Sequence, residues 1–167
     1  MPDTVLSHLL VNKAASPQTI ADAYQLLTEY GNYMYTELDL VDGKDSFYEK
    51  LKKFPGEEYE NPNGAFIVVY YNNKPAGCVG LRRFDSAACE MKRMYVRPEY
   101  RGLKIGDRLC VEVIQLAKDL GFTKMLLDTN REMAAAIKLY TKFSFKEIPP
   151  YCINVNQHPV YMGLDIL

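Results

Sequence analysis

The stretch VRPEYRGLKIGDRL, residues 96–109, decides the fold because it joins an apolar strand to an amphipathic helix through a basic turn. The turn contains Arg101, Gly102, Lys104 and Gly106. Glycine lets the backbone bend and approach a ligand closely. A helix N-terminus presents unpaired N–H groups and about half a positive charge, to which the basic side chains add donors. The turn therefore predicts an anion site suited to a pyrophosphate, although a simple connection with solvated basic side chains has the same composition.

The pattern of apolar residues on both sides of this turn predicts a mixed order of elements. Continuous or alternating apolar runs indicate strands, and apolar residues at helical spacing indicate helices. The predicted helices cover 17–34, 46–54, 102–120 and 132–142. The predicted strands cover 65–71, 74–84, 87–96, 123–129, 145–148 and 160–166. Helices, a three-strand meander and then alternating elements indicate an α/β protein with a mixed sheet, rather than a helical bundle or a βαβ array.

Composition restricts the classes of protein that remain. A chain of 167 residues suits a single domain, 1–167, and its net charge of −1 provides no general basic field for nucleic acid or an anionic membrane. Four cysteines without a CxxC pair and only two histidines argue against a metal site and favour reduced core cysteines. Without a signal-peptide pattern or an apolar run of about 20 residues, we expect a cytoplasmic protein that neither spans nor binds a membrane.

Two segments carry a resemblance to a known family. EMKRMYVRPEYRGLKIGDRL, residues 90–109, resembles the coenzyme A binding core of the GNAT N-acetyltransferases, whose pattern R/Q-x-x-G-x-G/A aligns with residues 101–106. Lys104 stands where the first glycine of the ordinary spacing would be. AAAIKLYTKFSF, residues 134–145, resembles the second signature, N-x-x-A-x-x-L-Y-x-x-x-G-F, with Met133 in place of the asparagine. Ser144 also stands in place of the last glycine.

The resemblance implies a GNAT-like acyl-CoA N-acyltransferase fold, with a central, mostly antiparallel sheet whose splayed strands are flanked by helices. It also implies acetyl-CoA as the co-substrate and no metal. Main-chain groups of the strand before the turn would pair with the pantetheine arm, and loop amides with Arg101 would hold the pyrophosphate. The coenzyme-binding residues implied in this way are Met94, Tyr95, Val96, Arg101, Gly102, Leu103, Lys104, Ile105, Gly106 and Asp107.

Acetyl transfer to an amine needs a base for the amine, a donor for the thioester oxygen and an acid for the leaving thiolate. Glu90 lies eleven residues before Arg101, where several GNAT enzymes carry a catalytic glutamate, and is the candidate base. An ion pair with Lys92 or Arg82 is the alternative role. Tyr140 matches the family tyrosine whose hydroxyl approaches the coenzyme sulfur, and it is the candidate acid; a core tyrosine is the alternative.

The acceptor is expected to be a primary amine on a small molecule. Four residues are the candidates for binding it. Asp128 ends a strand at the cleft, and the resemblance implies Tyr151 and Asn154, because they lie in the loop before the last strand, where GNAT acceptor pockets are often lined. Tyr33 would close the pocket from the other side. Two alternatives remain open: transfer to a protein N-terminus or lysine, and a non-catalytic module that binds acyl-CoA. No nucleic-acid partner is expected, and a homodimer through the terminal strands is compatible with this fold.

Overall fold

A computed structural model of the protein describes residues 8–40 and 43–166, and seven strands in it form one sheet. The strands are β1 (Leu9–Lys13), β2 (Gly64–Tyr71), β3 (Lys74–Arg83), β4 (Ala88–Val96), β5 (Lys124–Asn130), β6 (Lys146–Glu147) and β7 (Pro159–Asp165). Their order across the sheet is β1-β2-β3-β4-β5-β7-β6. Only the β4–β5 pair is parallel, so the sheet is mostly antiparallel, as the sequence predicted.

Four α-helices accompany the sheet within the described ranges. They are α1 (Pro17–Asn32), α2 (Lys44–Leu51), α3 (Ile105–Asp119) and α4 (Ala134–Lys142). Ser16 starts α1 because its side chain accepts a hydrogen bond from the Thr19 N–H, and Pro17 occupies the first helical position. A short π-helical segment, Tyr33–Glu37, continues α1. None of these helices combines the length and the hydrophobicity that crossing a bilayer requires.

The sheet is covered on both faces, which explains why β2 reads as an unbroken apolar run. Ile67 and Val69 pack in a cluster with α3 and α4, whereas Phe66 and Val68, which point to the opposite face, pack with α1 and α2. Alternate residues of one strand therefore belong to two separate cores. This three-layer arrangement holds α1, α2 and α4 around the C-terminal half of β4.

The parallel pair β4–β5 splays after its first three residues. Ala88 to Glu90 pair with residues 124–126, and no pairing follows, although β4 continues to Val96 and β5 continues to Asn130. The pairing of β4 with β3 is also irregular between Cys78 and Gly80, where two residues of β4, Arg93 and Met94, lie opposite the single residue Val79. Within this bulge Arg93 adopts φ 58°, a left-handed conformation that is rare for residues other than glycine. The divergence opens a cleft between the two strands.

Most predicted elements are present, and the differences are local. The strand β1 was not predicted, because it is a short edge strand whose pairing with β2 defines it more than its own pattern does. The helix α3 starts at Ile105 rather than at residue 102, because Lys104 is left-handed at φ 59°. Three cysteines are free and buried, as predicted, but the free Cys152 is only partly buried and is no core residue. The segment considered for a signal peptide and the ends of the proposed domain lie partly outside the described residues.

Candidate active site

The larger cavity at the cleft, about 470 Å³, is called the groove here and runs between β4, α4 and the start of α3. Its lining contains nine of the ten residues predicted to bind the coenzyme: Met94, Tyr95, Val96, Arg101, Gly102, Lys104, Ile105, Gly106 and Asp107. Leu103 is the exception, since its side chain packs partly buried against the core that contains α3. Because β4 has no strand partner on the β5 side beyond Glu90, the groove follows an open main-chain edge.

The N-terminus of α3 supplies free donors to the groove. The first helical hydrogen bond runs from the Arg108 N–H to the Lys104 carbonyl, and no side chain caps the helix. Within the described part of the chain, the N–H groups of Ile105, Gly106 and Asp107 therefore have no protein acceptor. These amides and the helix dipole favour an anion at this end of the groove.

Two glycines and an arginine shape this end of the groove. Gly102 has φ +84°, which glycine adopts without strain, and a Cβ at Gly106 would lie 3.0 Å from the Leu139 side chain of α4. Gly106 thus allows α3 and α4 to approach closely. The Arg101 Nε donates to the Val96 carbonyl at 3.2 Å, and its guanidinium lies 5.1 Å from the centre of the Tyr33 ring.

Tyr33 and Asp107 both line the groove, and each lies beside a basic side chain. Tyr33 was predicted to contact the acceptor. In the structure it lines the groove, and the Arg101 guanidinium lies over its ring. Asp107 brings a carboxylate close to the free amides. Lys142 of α4 forms a salt bridge with it and so compensates a charge that would repel an anion.

A smaller cavity of about 220 Å³, called the inner cavity here, lies on the other side of the splayed strands. Side chains from α1, α2, β4, β5, α4 and the loop before β7 surround it, and Asp128 and Asn154 are among them. Four residues line both cavities: Tyr30, Met94, Met133 and Tyr140. The groove and the inner cavity therefore meet, and Tyr140 stands at their junction.

Tyr140 is buried, and burial raises the pKa of its phenol well above the ordinary value. Its hydroxyl makes no hydrogen bond to any side chain or main-chain group that the structure describes. The phenol is therefore protonated at neutral pH and free to donate to a ligand. This geometry is compatible with the predicted role as an acid.

Glu90 belongs to a network of charges beside the inner cavity. Its side chain is 2% exposed, and its Oε1 accepts from Arg82 Nε at 2.8 Å. Its Oε2 accepts from the Tyr151 hydroxyl at 2.7 Å and lies 3.5 Å from Lys92 Nζ. The ion pair with Arg82 or Lys92 that was the alternative role for Glu90 is thus present, and neither Glu90 nor Tyr151 lines the inner cavity.

Asp128 connects this network to the inner cavity. Its Oδ1 accepts from Lys92 Nζ at 2.7 Å and its Oδ2 accepts from Asn154 Nδ2 at 3.0 Å. Glu90, Asp128 and Cys152 also bring potential metal ligands within 4.8 Å of one another. The ammonium of Lys92 already lies beside both carboxylates, so a metal ion bound there would be repelled by a positive charge of the protein.

Sequence reasoning missed several residues of the inner cavity, of which Arg93 has the most unusual surroundings. Its guanidinium lies 4.6 Å from the centre of the Phe47 ring, and its NH1 is buried without a hydrogen-bond partner. Tyr30, Lys92 and Met133 also line the cavity. The adjacent charges at Lys92 and Arg93, inside a strand that enters the motif, were the available signal, since a central strand seldom carries a charged pair without a partner.

Comparison with known proteins agrees with this geometry. Residues 21–145 match the model of the acetyltransferase (GNAT) family, and the chain belongs to that family. An uncharacterised N-acetyltransferase of Schizosaccharomyces pombe is 35% identical over 96% of each chain. An acetyltransferase structure from Streptococcus agalactiae has a TM-score of 0.78 at 21% identity, covering 96% of this chain and 99% of the other. PaiA N-acetyltransferase of Thermoplasma acidophilum, solved with coenzyme A, has a TM-score of 0.75 at 20% identity, over 94% and 98%.

Proposed function

We propose that this protein transfers the acetyl group of acetyl-CoA to a primary amine of a small molecule. The observation that carries the proposal is the meeting of two cavities at Tyr140, one lined by main-chain donors and the other by charged side chains. A thioester in the groove would place its reactive carbon near the opening into the inner cavity. An amine in the inner cavity would then attack it directly, without a covalent enzyme intermediate.

The groove suits the coenzyme in charge and shape. The pyrophosphate would accept from the free amides of residues 105–107, assisted by Arg101, and the pantetheine arm would follow the open edge of Met94, Tyr95 and Val96. The coenzyme A complex of the Thermoplasma acidophilum protein, which has the same fold, supports this proposal. The other groove residues at 102, 104 and 106 shape the loop, and Leu103 contributes at most its main-chain amide.

The proposed chemistry assigns one proton transfer to each side of the thioester. The neutral amine loses a proton as its nitrogen bonds to the acetyl carbon, and a main-chain N–H of β4 that faces the groove stabilises the oxygen that becomes negative. The carbon–sulfur bond then breaks, and the Tyr140 hydroxyl gives its proton to the leaving thiolate. The products are the N-acetylated amine and free coenzyme A.

The amine's proton has a route towards Glu90. Asp128 faces the inner cavity and can bind the incoming ammonium, which gives one proton to solvent before it attacks. Lys92 contacts Asp128 at 2.7 Å and Glu90 at 3.5 Å, so it can give a proton to Glu90 and take the second proton of the amine in its place. We assign Glu90 as the base that receives the proton through this network, with Asp128 positioning the amine. Tyr151 holds Glu90 by its 2.7 Å hydrogen bond, and Asn154 holds Asp128.

The size of the inner cavity favours a small acceptor. Its volume of about 220 Å³ equals roughly that of seven molecules of liquid water, so it accommodates a compact amine. An acceptor presented by a folded protein would have to enter past α2 and the loop before β7. For this reason we prefer a small molecule to a protein N-terminus or a lysine.

The test is an acetylation assay that detects free thiol, with a panel of small primary amines and short peptides as acceptors. Wild-type protein should release thiol with at least one small amine, and Glu90→Gln and Tyr140→Phe should reduce that rate while leaving acetyl-CoA binding intact in calorimetry. Tight acetyl-CoA binding without turnover of any amine would support a non-catalytic module. Turnover confined to peptides would move the acceptor to proteins.

A further inference from the structure

We propose that the acceptor is an amine that also carries a carboxylate, and that Arg93 binds this carboxylate in the inner cavity. The proposal rests on the proposed transfer function and names the class of its acceptor. An amino acid is the simplest molecule with both groups. The argument starts from the charge of Arg93, which the protein itself leaves unsatisfied.

Arg93 has no acidic partner among the residues that the structure describes. Its NH1 is buried without an acceptor, although it belongs to a group that normally makes several hydrogen bonds. Buried polar atoms are satisfied in the great majority of cases, so the charge of Arg93 is incompletely used within the protein. The residue is only partly buried and lines the inner cavity, which lets a ligand in the cavity reach the part of its side chain that is not enclosed. A carboxylate matches the paired donors of a guanidinium in both charge and geometry.

The surroundings of Arg93 favour the binding of an anion. The guanidinium packs over the ring of Phe47 at 4.6 Å, and Tyr30 and Tyr35 line the same cavity. Aromatic faces attract a cation, but they replace the hydration of a charged group only in part. A carboxylate entering the cavity would therefore pair with a cation that no described acidic side chain neutralises.

The backbone also directs Arg93 to this position. Its φ of 58° lies inside the bulge where β4 slips against β3 between Cys78 and Gly80. A bulge changes the direction of side chains along a strand, and left-handed residues other than glycine persist where the surrounding structure holds them. The bulge therefore presents Arg93 to the inner cavity at the cost of local strain.

The other charged side chains of the cavity provide a place for the ammonium group of an acceptor that also carries a carboxylate. Among its charged lining residues are three cations, Lys50, Lys92 and Arg93, and one carboxylate, Asp128. Lys92 already pairs with Asp128 at 2.7 Å, and Lys50 is exposed at the rim. An ammonium group would lie by Asp128 and a carboxylate by Arg93, so one molecule would satisfy both groups.

The first experiment measures binding without turnover. Protein saturated with coenzyme A is titrated calorimetrically with N-acetylalanine, N-acetylmethionine and N-acetylphenylalanine, and with the corresponding amides, which lack the carboxylate. Wild-type protein should bind at least one acid about 10- to 100-fold more tightly than its amide. Arg93→Gln should remove that difference, and Arg93→Lys should restore part of it.

The second experiment measures acetylation of the free amino acids, their amides and the corresponding decarboxylated amines. The acids should have the highest kcat/KM, and Arg93→Gln should lower it by about 10- to 100-fold for the acids only, without changing the KM for acetyl-CoA. Arg83→Gln is the matched control, because Arg83 also lies over a phenylalanine ring, Phe122 at 4.7 Å, but lines neither cavity. It should behave like wild type.

The outcomes separate the inference from the proposed function. Acetylation of amides or plain amines at least as fast as the acids, or an equal loss with all acceptors in Arg93→Gln, would overturn the carboxylate site and leave the acetyltransferase function standing. Arg93-dependent binding of N-acetylamino acids without turnover of any amine would support the site and contradict the function. No binding and no turnover would overturn both.

Discussion

The groove and the inner cavity are neighbours, but the chain builds them in different ways. The groove is lined mainly by one continuous stretch, residues 94–107, together with one face of α4, and its positive character comes largely from main-chain amides. The inner cavity is lined by side chains from six separate parts of the chain. A site made of main chain depends on local sequence, whereas a site made of side chains depends on how distant elements pack.

Two arginines on or beside β4 show the same contrast within five residues. Arg97 donates to both oxygens of Glu29 at 2.8 and 2.9 Å and to the Pro75 carbonyl at 2.7 Å, so its charge is fully used in attaching α1 to the sheet. Arg93 has a buried NH1 without an acceptor. Arg97 is therefore engaged within the fold, whereas Arg93 is the residue that we propose for the carboxylate of the acceptor.

The largest effect is expected at Tyr140, where the two cavities meet. Replacing Tyr140 by Phe removes the proton donor for the thiolate, and we expect kcat to fall by about 100-fold or more. The KM values for acetyl-CoA and for the amine should change little, because the ring remains in place. Steady-state kinetics with free-thiol detection measures this.

Tyr24→Phe is the control for Tyr140→Phe, because Tyr24 is exposed and lines neither cavity. An unchanged kcat in Tyr140→Phe would show that the leaving thiolate takes its proton from another donor. A rise in the KM for acetyl-CoA alone would show that Tyr140 helps to bind the coenzyme and takes no part in the proton transfer.

A substitution at Asp128 should weaken the use of the amine and leave the binding of acetyl-CoA in the groove unchanged. Asp128→Asn keeps the shape and removes the charge that faces the amine, so we expect kcat/KM for the amine to fall by about 10- to 50-fold. Calorimetric binding of acetyl-CoA should stay the same. Weaker acetyl-CoA binding in this variant would contradict the separation of the two cavities.

The groove was the more predictable of the two regions. The sequence alone identified an anion site with Arg101, Gly102 and Gly106, because a turn that begins a helix is recognised from neighbouring residues. The seven-stranded order and the splay also agree with the resemblance. The bulge at Arg93 and its approach to Phe47 could not be predicted, because they depend on the slip between β3 and β4 and on the position of α2.

The position of Tyr33 depends on packing in a similar way, since it lines the groove and not the inner cavity. Sequence alone places Tyr33 at the end of a helix but does not show which cavity that end of the helix faces. Glu90 could be identified as a candidate from its spacing to Arg101. Its partners Arg82 and Lys92 were also named from the sequence, as the ion pair of the alternative role. The hydrogen bond from Tyr151 could not be predicted, because only the folded chain brings that loop to Glu90.

Substitutions of the paired arginine and of the unpaired one should change the stability of the protein by different amounts. Arg97→Gln breaks a bidentate, partly buried ion pair, and we expect the free energy of unfolding to fall by about 1–3 kcal/mol. Arg93→Gln removes a charge with no partner, so its free energy of unfolding should stay within about 0.5 kcal/mol of wild type or rise. Urea denaturation of the ligand-free proteins compares them. A larger loss in Arg93→Gln than in Arg97→Gln would contradict the contrast between the two residues.

The smallest effect concerns Lys104, which stands in the groove turn at φ 59°. Glycine adopts this conformation without strain, so Lys104→Gly should raise the free energy of unfolding by about 0.5–1 kcal/mol. The loss of one exposed charge should weaken acetyl-CoA binding only modestly and mainly at low salt. Lys118→Gly is the matched control, because Lys118 is exposed in the last turn of α3, where glycine should destabilise by about 1 kcal/mol. Equal destabilisation by both substitutions would show that the turn gains nothing from glycine at residue 104, and that the departure from the family pattern there costs the fold nothing.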